Sequence, residues 1–416
     1  EKDEIKSGTV NVGNPIVIKV THEEKDSTYA KIINLVQKAT KEKAPLVRLA
    51  DKYSTIFTVV TFLIAGFAYY QTGTIESILA VLVVATPCPL ILATPIALMG
   101  GVNAAAKKRI IIKKLSSLEI LSRVNAVMFD KTGTITLGKP RLTGVRIFDR
   151  SMNQENILSV AEAIERNSLH PLAKAIVHYA QEHYVERFHA DNIREVIGEG
   201  ISGTVDRVRY TLTQVENSTT SDMAISLSRD DKIIAVFGFE DQIKEDSSDI
   251  IKKLGSLGLQ IAIFTGDKIE VADRVAKKLG GHITVVAECS PEDKMKGIEH
   301  LKKIKKITAM VGDGINDAPA LAKADVGLVF SNEEQTAASE AADIVFLSGD
   351  FSSVLRSFEI AKRTVSIAMQ SISWGIGMSI AAMILASFGL IPPLYGAILQ
   401  EGIDVIVILN ALRASK

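Results

Sequence analysis

A carboxylate that closes an apolar run and is followed by a small turn is a candidate nucleophile, and FDKTGTIT, Phe129 to Thr136, has that form. An aspartate so placed can attack a phosphoryl group, become an acyl phosphate and be regenerated by hydrolysis, while turn amides and hydroxyls hold the phosphate oxygens. Asp130 is that nucleophile. DKTG alone reads as an ordinary polar turn, but it is followed in order by TGD at Thr265 to Asp267, PEDK at Pro291 to Lys294 and VGDGINDAPAL at Val311 to Leu321. Phosphoryl transfer needs a hydroxyl or amide for the phosphate, a cation to offset charge and carboxylates for Mg2+, because positioning and electrostatics supply most of the catalysis. Thr265, Lys294, and Asp313 with Asp317 meet those needs in turn. Mg2+ takes one or two carboxylates with phosphate oxygen and water, so Asp130 and Asp313 are the expected direct ligands, supported by Asp317. A lone lysine on a helix is usually a solvated surface residue; Lys294 is singled out only by its place in the series.

A second constellation lies in apolar sequence. In VVATPCPLILATP, Val83 to Pro95, Pro87 and Pro89 flank Cys88. Each proline removes a helical hydrogen bond, which would free the carbonyls of Val83 and Ala85. Broken backbone beside a thiol makes a metal-binding notch, tolerated at membrane depth where it faces protein or a polar cavity. A kink with a packed cysteine is the plainer alternative. In LQEGIDVIVILNALR, Leu399 to Arg413, Gln400 and Glu401 fall four and three residues before Asp404, on one helix face. Acids within a span are costly and functional by default; interfacial placement or pairing within the bundle is the alternative. With Cys88 they offer mixed sulfur and oxygen donors, better matched to a divalent transition ion than to Cu+. Cys289 has no His or second Cys at ligand spacing and is expected to be a small core residue.

Apolar runs at Thr55 to Thr72, Ile75 to Met99, Val365 to Leu390 and Pro393 to Leu412 approach the ~20 residues that cross a bilayer and pair into two hairpins. Lys41, Lys43, Arg48 and Lys52, then Lys107, Lys108, Arg109, Lys113 and Lys114, then Lys362, Arg363, Arg413 and Lys416 flank one side, which the positive-inside rule makes cytosolic. Trp374, Phe388, Met378 and Met383 are expected to pack within these helices. Between the hairpins, AVMF, IAIF, TVVA, AMV, VGLVF and DIVFL alternate with helical stretches, the pattern of an α/β domain with a parallel sheet. Working residues of such sheets sit past the carboxyl ends of strands, where Asp130, Thr265 and Asp313 fall. In 416 residues, 48 basic and 48 acidic groups remove the electrostatic case for a nucleic-acid partner. Two cysteines build no disulfide framework, so the soluble part is expected in the cytosol.

DKTGT, TGD, PEDK and GDGINDAPAL in this order resemble the P-type cation-transporting ATPases, and TPC beside a notch ahead of Asp130 resembles their heavy-metal subgroup with TPC in place of CPC. The resemblance runs through nearly the whole chain. It implies a haloacid-dehalogenase-like α/β phosphorylation domain, an inserted α+β nucleotide-binding domain and an α-helical transmembrane bundle. It makes Asp130 the residue phosphorylated by ATP, with Lys131, Thr132, Thr265, Gly266, Asp267 and Lys294 as its catalytic neighbours. Asp130, Thr132, Asp313 and Asp317 become the Mg2+ set, and Cys88, Gln400, Glu401 and Asp404 the transported-ion set. SLHPLAKAI and GEGISG, on their own a helix start and a weak loop signal, look like the adenine-contacting His-Pro and Gly-x-Gly elements. They carry nucleotide contacts to His170, Pro171, Gly198 and Gly200, and Glu165 matches a nucleotide-site acid; Leu169 stands where many members have Glu. Asp241 in FEDQIK matches an aspartate before the hinge between the two catalytic domains.

The expected division is residues 1–40 as the end of an actuator domain, 41–114 as a transmembrane hairpin, 115–141 and 237–350 as the phosphorylation domain, 142–236 as the nucleotide domain and 351–416 as a second hairpin. The expected protein is a multi-pass, plasma-membrane exporter of a divalent ion, with Ni, Co, Fe and Zn left open. Its cofactors are ATP and Mg2+, and its catalytic domains are cytoplasmic. The family's further amino-terminal spans and TGE-bearing actuator would come from preceding sequence or another polypeptide. A membrane-anchored phosphatase using the same aspartate and a catalytically idle remnant are the alternatives.

Overall fold

The computed structural model describes residues 49–85, 88–196, 198–215, 223–330 and 337–416. The strand-like stretch at Thr9 to Val20 and the helix expected at Tyr29 to Ala39 lie outside them, as do Thr86 and Pro87. The chain runs through helices α1 (Leu49–Thr72), α2 (Ile75–Val84) and α3 (Cys88–Lys107), then β1 (Ile110–Ile112), α4 (Leu115–Arg123) and β2 (Ala126–Asp130). There follow β3 (Thr136–Ile147), α5 (Gln154–Glu165), α6 (Pro171–Glu182), β4 (Ala190–Val196), β5 (Gly200–Val205), β6 (Val208–Gln214), β7 (Met223–Arg229) and β8 (Lys232–Ile243). The remainder is α7 (Ser247–Ser256), β9 (Gln260–Phe264), α8 (Ile269–Leu279), β10 (Ile283–Val286), α9 (Pro291–Lys303), β11 (Thr308–Gly312), α10 (Ala318–Lys323), β12 (Val326–Phe330), α11 (Ala337–Ala341), β13 (Ile344–Phe346), α12 (Ser352–Ser387) and α13 (Pro393–Leu412).

One sheet has seven strands in the order β1-β13-β12-β11-β2-β9-β10. β11, β12 and β13 pair in parallel, as do β9 and β10, and only the edge strand β1 among these pairs is antiparallel. Every residue of β2, β11, β12 and β13 is buried, which is why these strands read as unbroken apolar runs. β1 is short and set among Lys107, Lys108, Arg109, Lys113 and Lys114, so its sequence announces a membrane flank and not a strand.

The second sheet is antiparallel, β3-β8-β7-β6-β5-β4. Ile157, Ile164 and Ile176 of α5 and α6 share its core with Leu212, Phe237 and Phe239. The β3–β8 ladder runs from Thr136 opposite Ile243 to Ile147 opposite Ala235, so borders drawn at residues 142 and 236 fall inside paired strands. Apolar alternation marks which residues are buried, whereas the length of a ladder is set by its partner strand.

α12 and the segment Pro393–Ser415 are long and apolar enough to cross a membrane; the apolar stretches Ile56–Thr72 and Ile75–Val84 are shorter. α12 has 36 residues and begins at Ser352, ahead of the apolar run at Val365. At ~1.5 Å per residue it exceeds the ~30 Å hydrocarbon thickness, so its first turns belong to the soluble side, where Lys362 Nζ donates to Leu257 O. Within the run Ile75 to Met99, α2 is capped at Ala85 and α3 starts at Cys88; Thr86 and Pro87 lie outside the described residues. Pro87 and Pro89 lack the N–H groups a continuous helix would use there. Trp374 and Phe388 are about half exposed, Phe388 meeting Phe67 edge-on, while Met383 is fully buried. The two aromatics thus lie on the outside of the bundle, against expectation.

α3 crosses α12 at Gly101, where a Cβ would lie 2.7 Å from Leu118 Cδ2 and 2.8 Å from Thr364 Cγ2. Small residues permit such close approach of apolar helices. Gly101→Ala is expected to cost about 1–3 kcal/mol, read as a lowered unfolding temperature in detergent. Gly66→Ala, where a Cβ meets nothing within 4 Å, is expected to be neutral or stabilising.

Candidate functional site

Asp130 ends β2 and is 8% exposed. The chain then turns through Thr132 (φ −74°, ψ 132°) and Gly133 (φ 70°, ψ −18°), close to the angles of a type II turn, whose third position favours glycine. Thr136 closes the turn: its Oγ1 lies 2.6 Å from Asp241 Oδ2 and 3.0 Å from Lys131 O, and it accepts from Gly133 N. The other Asp241 oxygen accepts from Lys139 N at 3.0 Å. Asp241 therefore grips both ends of the segment leaving the turn. Thr136 and its bond to Asp241 were not legible in sequence, since the partners are 105 residues apart.

Beyond β9, Thr265 Oγ1 donates to Asp267 Oδ2 at 2.6 Å, and Lys131 Nζ lies 2.7 Å from the same oxygen. The segment after β10 supports this loop, because Cys289 N donates to Thr265 O and Glu288 N to Asp267 O. Cys289 is half-buried beside Gly266, its thiol directed at the carbonyls of Val286 and Ala287, and is not the core residue expected. Beyond β11, Lys294 from the first turn of α9 holds Asp317 Oδ1 at 2.8 Å, with both side chains buried. A Cβ on Gly312 would lie 2.9 Å from Asp317 Cβ, so glycine there lets Asp317 approach. Asp313 directly follows β11, and Asp317 lies four residues further on. An all-oxygen anionic donor set of this kind fits Mg2+.

The residues read as nucleotide contacts have clear local roles. Pro171 occupies the first turn of α6, and His170 caps it, its Nδ1 accepting from Leu172 N at 3.3 Å. With Nδ1 accepting, Nε2 is left as the ring's donor on an exposed side chain. Gly198 has φ 87° and Gly200 φ 135°, and a Cβ on Gly200 would strike Leu212 O. The sheet alone thus requires glycine at Gly200. Glu165 is 4% exposed at the end of α5. Burial, aided by the neighbouring Glu195 carboxylate, pushes its pKa up to about 7. Ser168 Oγ donates to Glu195 Oε1 at 2.7 Å and accepts from His170 N at 3.1 Å; neither Ser168 nor Glu195 stood out in sequence. A raised carboxyl pKa means the folded state holds a proton the unfolded state has lost, so stability falls as pH rises from about 4.5 to about 7. Glu165→Gln is expected to remove that fall and stabilise the protein at pH 8 by on the order of 2–3 kcal/mol, measured by denaturant unfolding at pH 5 and 8.

In the apolar helices, Cys88 opens α3; its side chain lies outside the described structure. Gln400 is buried on α13, donating from Nε2 to Asp404 Oδ1 at 3.0 Å and lying 3.3 Å from Ser379 Oγ of α12. Glu401 is exposed on α13, yet close enough to Asp404 for the two carboxylates to act on each other. Gly396, one turn before Gln400, brings α13 onto α2, where a Cβ would lie 2.8 Å from Val84 Cγ2.

A mostly parallel sheet with an aspartate at the carboxyl end of an interior strand is the arrangement of a haloacid-dehalogenase-like phosphotransfer fold, and the haloacid dehalogenase-like hydrolase family matches residues 124–325. Relatives are more specific. A probable copper-exporting P-type ATPase V of Mycobacterium tuberculosis (strain CDC 1551 / Oshkosh) is 32% identical over 99% of this chain and 56% of its own length. A probable cadmium-transporting ATPase of Staphylococcus aureus (strain MRSA252) is 32% identical over 99% and 61%. Among solved structures, a zinc-transporting PIB-type ATPase in the E2.Pi state superposes with a TM-score of 0.85 at 29% identity, covering 96% of this chain and 69% of that one. The catalytic domain of the CPx-ATPase CopB-B matches at 33% identity and TM-score 0.53, covering 61% of this chain and 97% of that domain. The chain belongs to the heavy-metal P-type ATPases, a family of membrane proteins. It spans roughly half to three-fifths of the length of the curated relatives it matches.

Proposed function

We propose that this chain is the carboxyl-terminal part of an ATP-driven exporter of a divalent transition-metal ion, working through phosphorylation of Asp130. The observation that carries the reading is Asp130 at the end of β2, followed by a turn that Thr136 and Asp241 hold closed. Asp130 Oδ attacks the γ-phosphorus of ATP, forming the acyl phosphate as the bond to the ADP oxygen breaks; water later cleaves it, releasing phosphate and restoring the carboxylate. The Thr132 and Thr265 hydroxyls and the Gly266 amide hold phosphate oxygens. Lys131 and Lys294, already set by Asp267 and Asp317, offset the charge that develops. Mg2+, when bound by Asp130, Thr132, Asp313 and Asp317, would screen the carboxylates from the incoming phosphate. Glu165, His170, Pro171, Gly198 and Gly200 take the nucleotide, His170 offering Nε2–H.

The part-buried Gln400–Asp404 pair supports transport, because polar side chains inside a span are costly and kept for function. Amide and carboxylate oxygens with the Cys88 sulfur suit a divalent ion such as Ni, Co, Fe or Zn. The copper, cadmium and zinc in the names of relatives do not choose among them. Lys107 Nζ donates to Ser415 O, and Arg363 to Arg413 O. Basic ends of α3, α12 and α13 therefore gather on one side, which supports a multi-pass plasma-membrane protein with that side cytoplasmic. Glu401, exposed on a span, is unfavourable against lipid; in this reading a further helix, on this or another polypeptide, covers it, and Glu401 joins the ion site.

The test is metal-dependent ATP turnover by the full-length protein in vesicles. Turnover dependent on Zn2+, Co2+ or Ni2+ is expected natively and lost in Cys88→Ser and Asp404→Ala. Metal-indifferent hydrolysis of small phosphate esters that survives both substitutions would instead identify a membrane-anchored phosphatase.

A further inference from the structure

The Ser379 hydroxyl faces Gln400 and has no task in the reading above. Ser379 is 1% exposed and Gln400 4%, each in the middle of an apolar helix. The chain of contacts is Ser379 Oγ to Gln400 Oε1 at 3.3 Å, then Gln400 Nε2 to Asp404 Oδ1 at 3.0 Å. Its polarity follows from chemistry. A carboxylate only accepts, so the amide must turn its nitrogen to Asp404 and its oxygen to Ser379, and the hydroxyl, able to do either, must donate. With the amide flipped, two oxygens would oppose each other at Asp404 and an N–H group would occupy the place of the amide oxygen. An oxygen so placed attracts a cation; an N–H group repels it.

We propose that Ser379 is a positioning residue for the cargo ion: by donating to Gln400 Oε1 it locks the amide orientation that presents Gln400 oxygen and Asp404 carboxylate together to a divalent cation. The proposal rests on the transport reading. It adds α12 to a site drawn from α3 and α13 alone, and assigns Ser379 an effect on cation affinity without direct ligation.

The experiment compares Ser379→Thr with Ser379→Val in the full-length protein reconstituted in vesicles, with Zn2+, Co2+ and Ni2+ as probes. Threonine and valine have nearly the same shape and differ in the hydroxyl, so packing effects cancel. Ser379→Val is expected to raise the half-saturating cation concentration for ATP turnover about three- to tenfold, with the maximal rate within about twofold. Ser379→Thr should stay close to the native value. Ser379→Ala, which adds no bulk, should follow valine, and it keeps the comparison open if valine disturbs folding. Equal half-saturation in the hydroxyl-bearing and hydroxyl-free variants overturns the positioning role. Asp404→Ala separates that failure from a deeper one: if it too leaves the cation dependence unchanged, the cargo site itself is misplaced.

Discussion

Asp130→Asn is expected to abolish labelling of the protein by [γ-32P]ATP and to lower ATP turnover by on the order of 10^4–10^6-fold, the loss that follows removal of a reacting nucleophile. The amide matches the carboxylate in shape but cannot attack phosphorus. The native label should survive acid and be released by hydroxylamine, as an acyl phosphate is. A damaged fold would give the same loss, and the buried carboxylate supplies the control. Asp130 is 8% exposed, and its burial penalises the charged carboxylate more than a neutral amide. Asp130→Asn should therefore melt at a higher temperature than the native protein in EDTA and gain less from added Mg2+, because bound ligand stabilises only in proportion to its affinity for the folded state. A variant that is inactive, more heat-stable without Mg2+ and less responsive to it has lost chemistry and kept its fold. Robust labelling of Asp130→Asn would place the phosphate on another residue.

Lys294→Met is expected to be the most destabilising single change at the site, by about 3–5 kcal/mol, because it strands a buried carboxylate. Lys294 Nζ and Asp317 Oδ1 are 2.8 Å apart with side chains 9% and 3% exposed. Methionine keeps the length of the lysine stem and removes the ammonium. Combining it with Asp317→Asn should restore much of the lost stability, since the remaining partner is then neutral; chemical unfolding of the single and double variants gives the coupling directly. Additive losses would mean that the pair is held apart in solution. Both the double variant and Lys294→Met should remain poorly phosphorylated, because stability is recovered without returning the cation that offsets phosphate charge.

Chemistry-bearing residues in this chain were legible because their types and order are so constrained. Asp130, Thr265 and Asp313 follow apolar runs that the sheet buries on both faces, and a fully buried strand must be written in apolar residues. Gly133 was readable as a turn residue for a similar reason, since its positive φ tolerates little else. Contacts between remote segments left no such trace. Thr136 with Asp241, Ser168 with Glu195 and Ser379 with Gln400 join ordinary polar residues on different elements. β1 was hidden among lysines, and the exposure of Glu401 on α13 does not follow from its spacing.

Local constraint explains the division. Strand ends and tight turns depend on the residue at hand and its neighbours, so composition and spacing alone determined the buried parallel strands and the DKTG turn. Which hydroxyl meets which carboxylate depends on the register of β3 against β8 and on how closely α13 approaches α2 at Gly396 and α12 at Ser379. Those distances arise only when the whole apolar surface is packed at once, and they decide that Asp241 grips the phosphorylation turn and that the Gln400 amide offers its oxygen to Ser379.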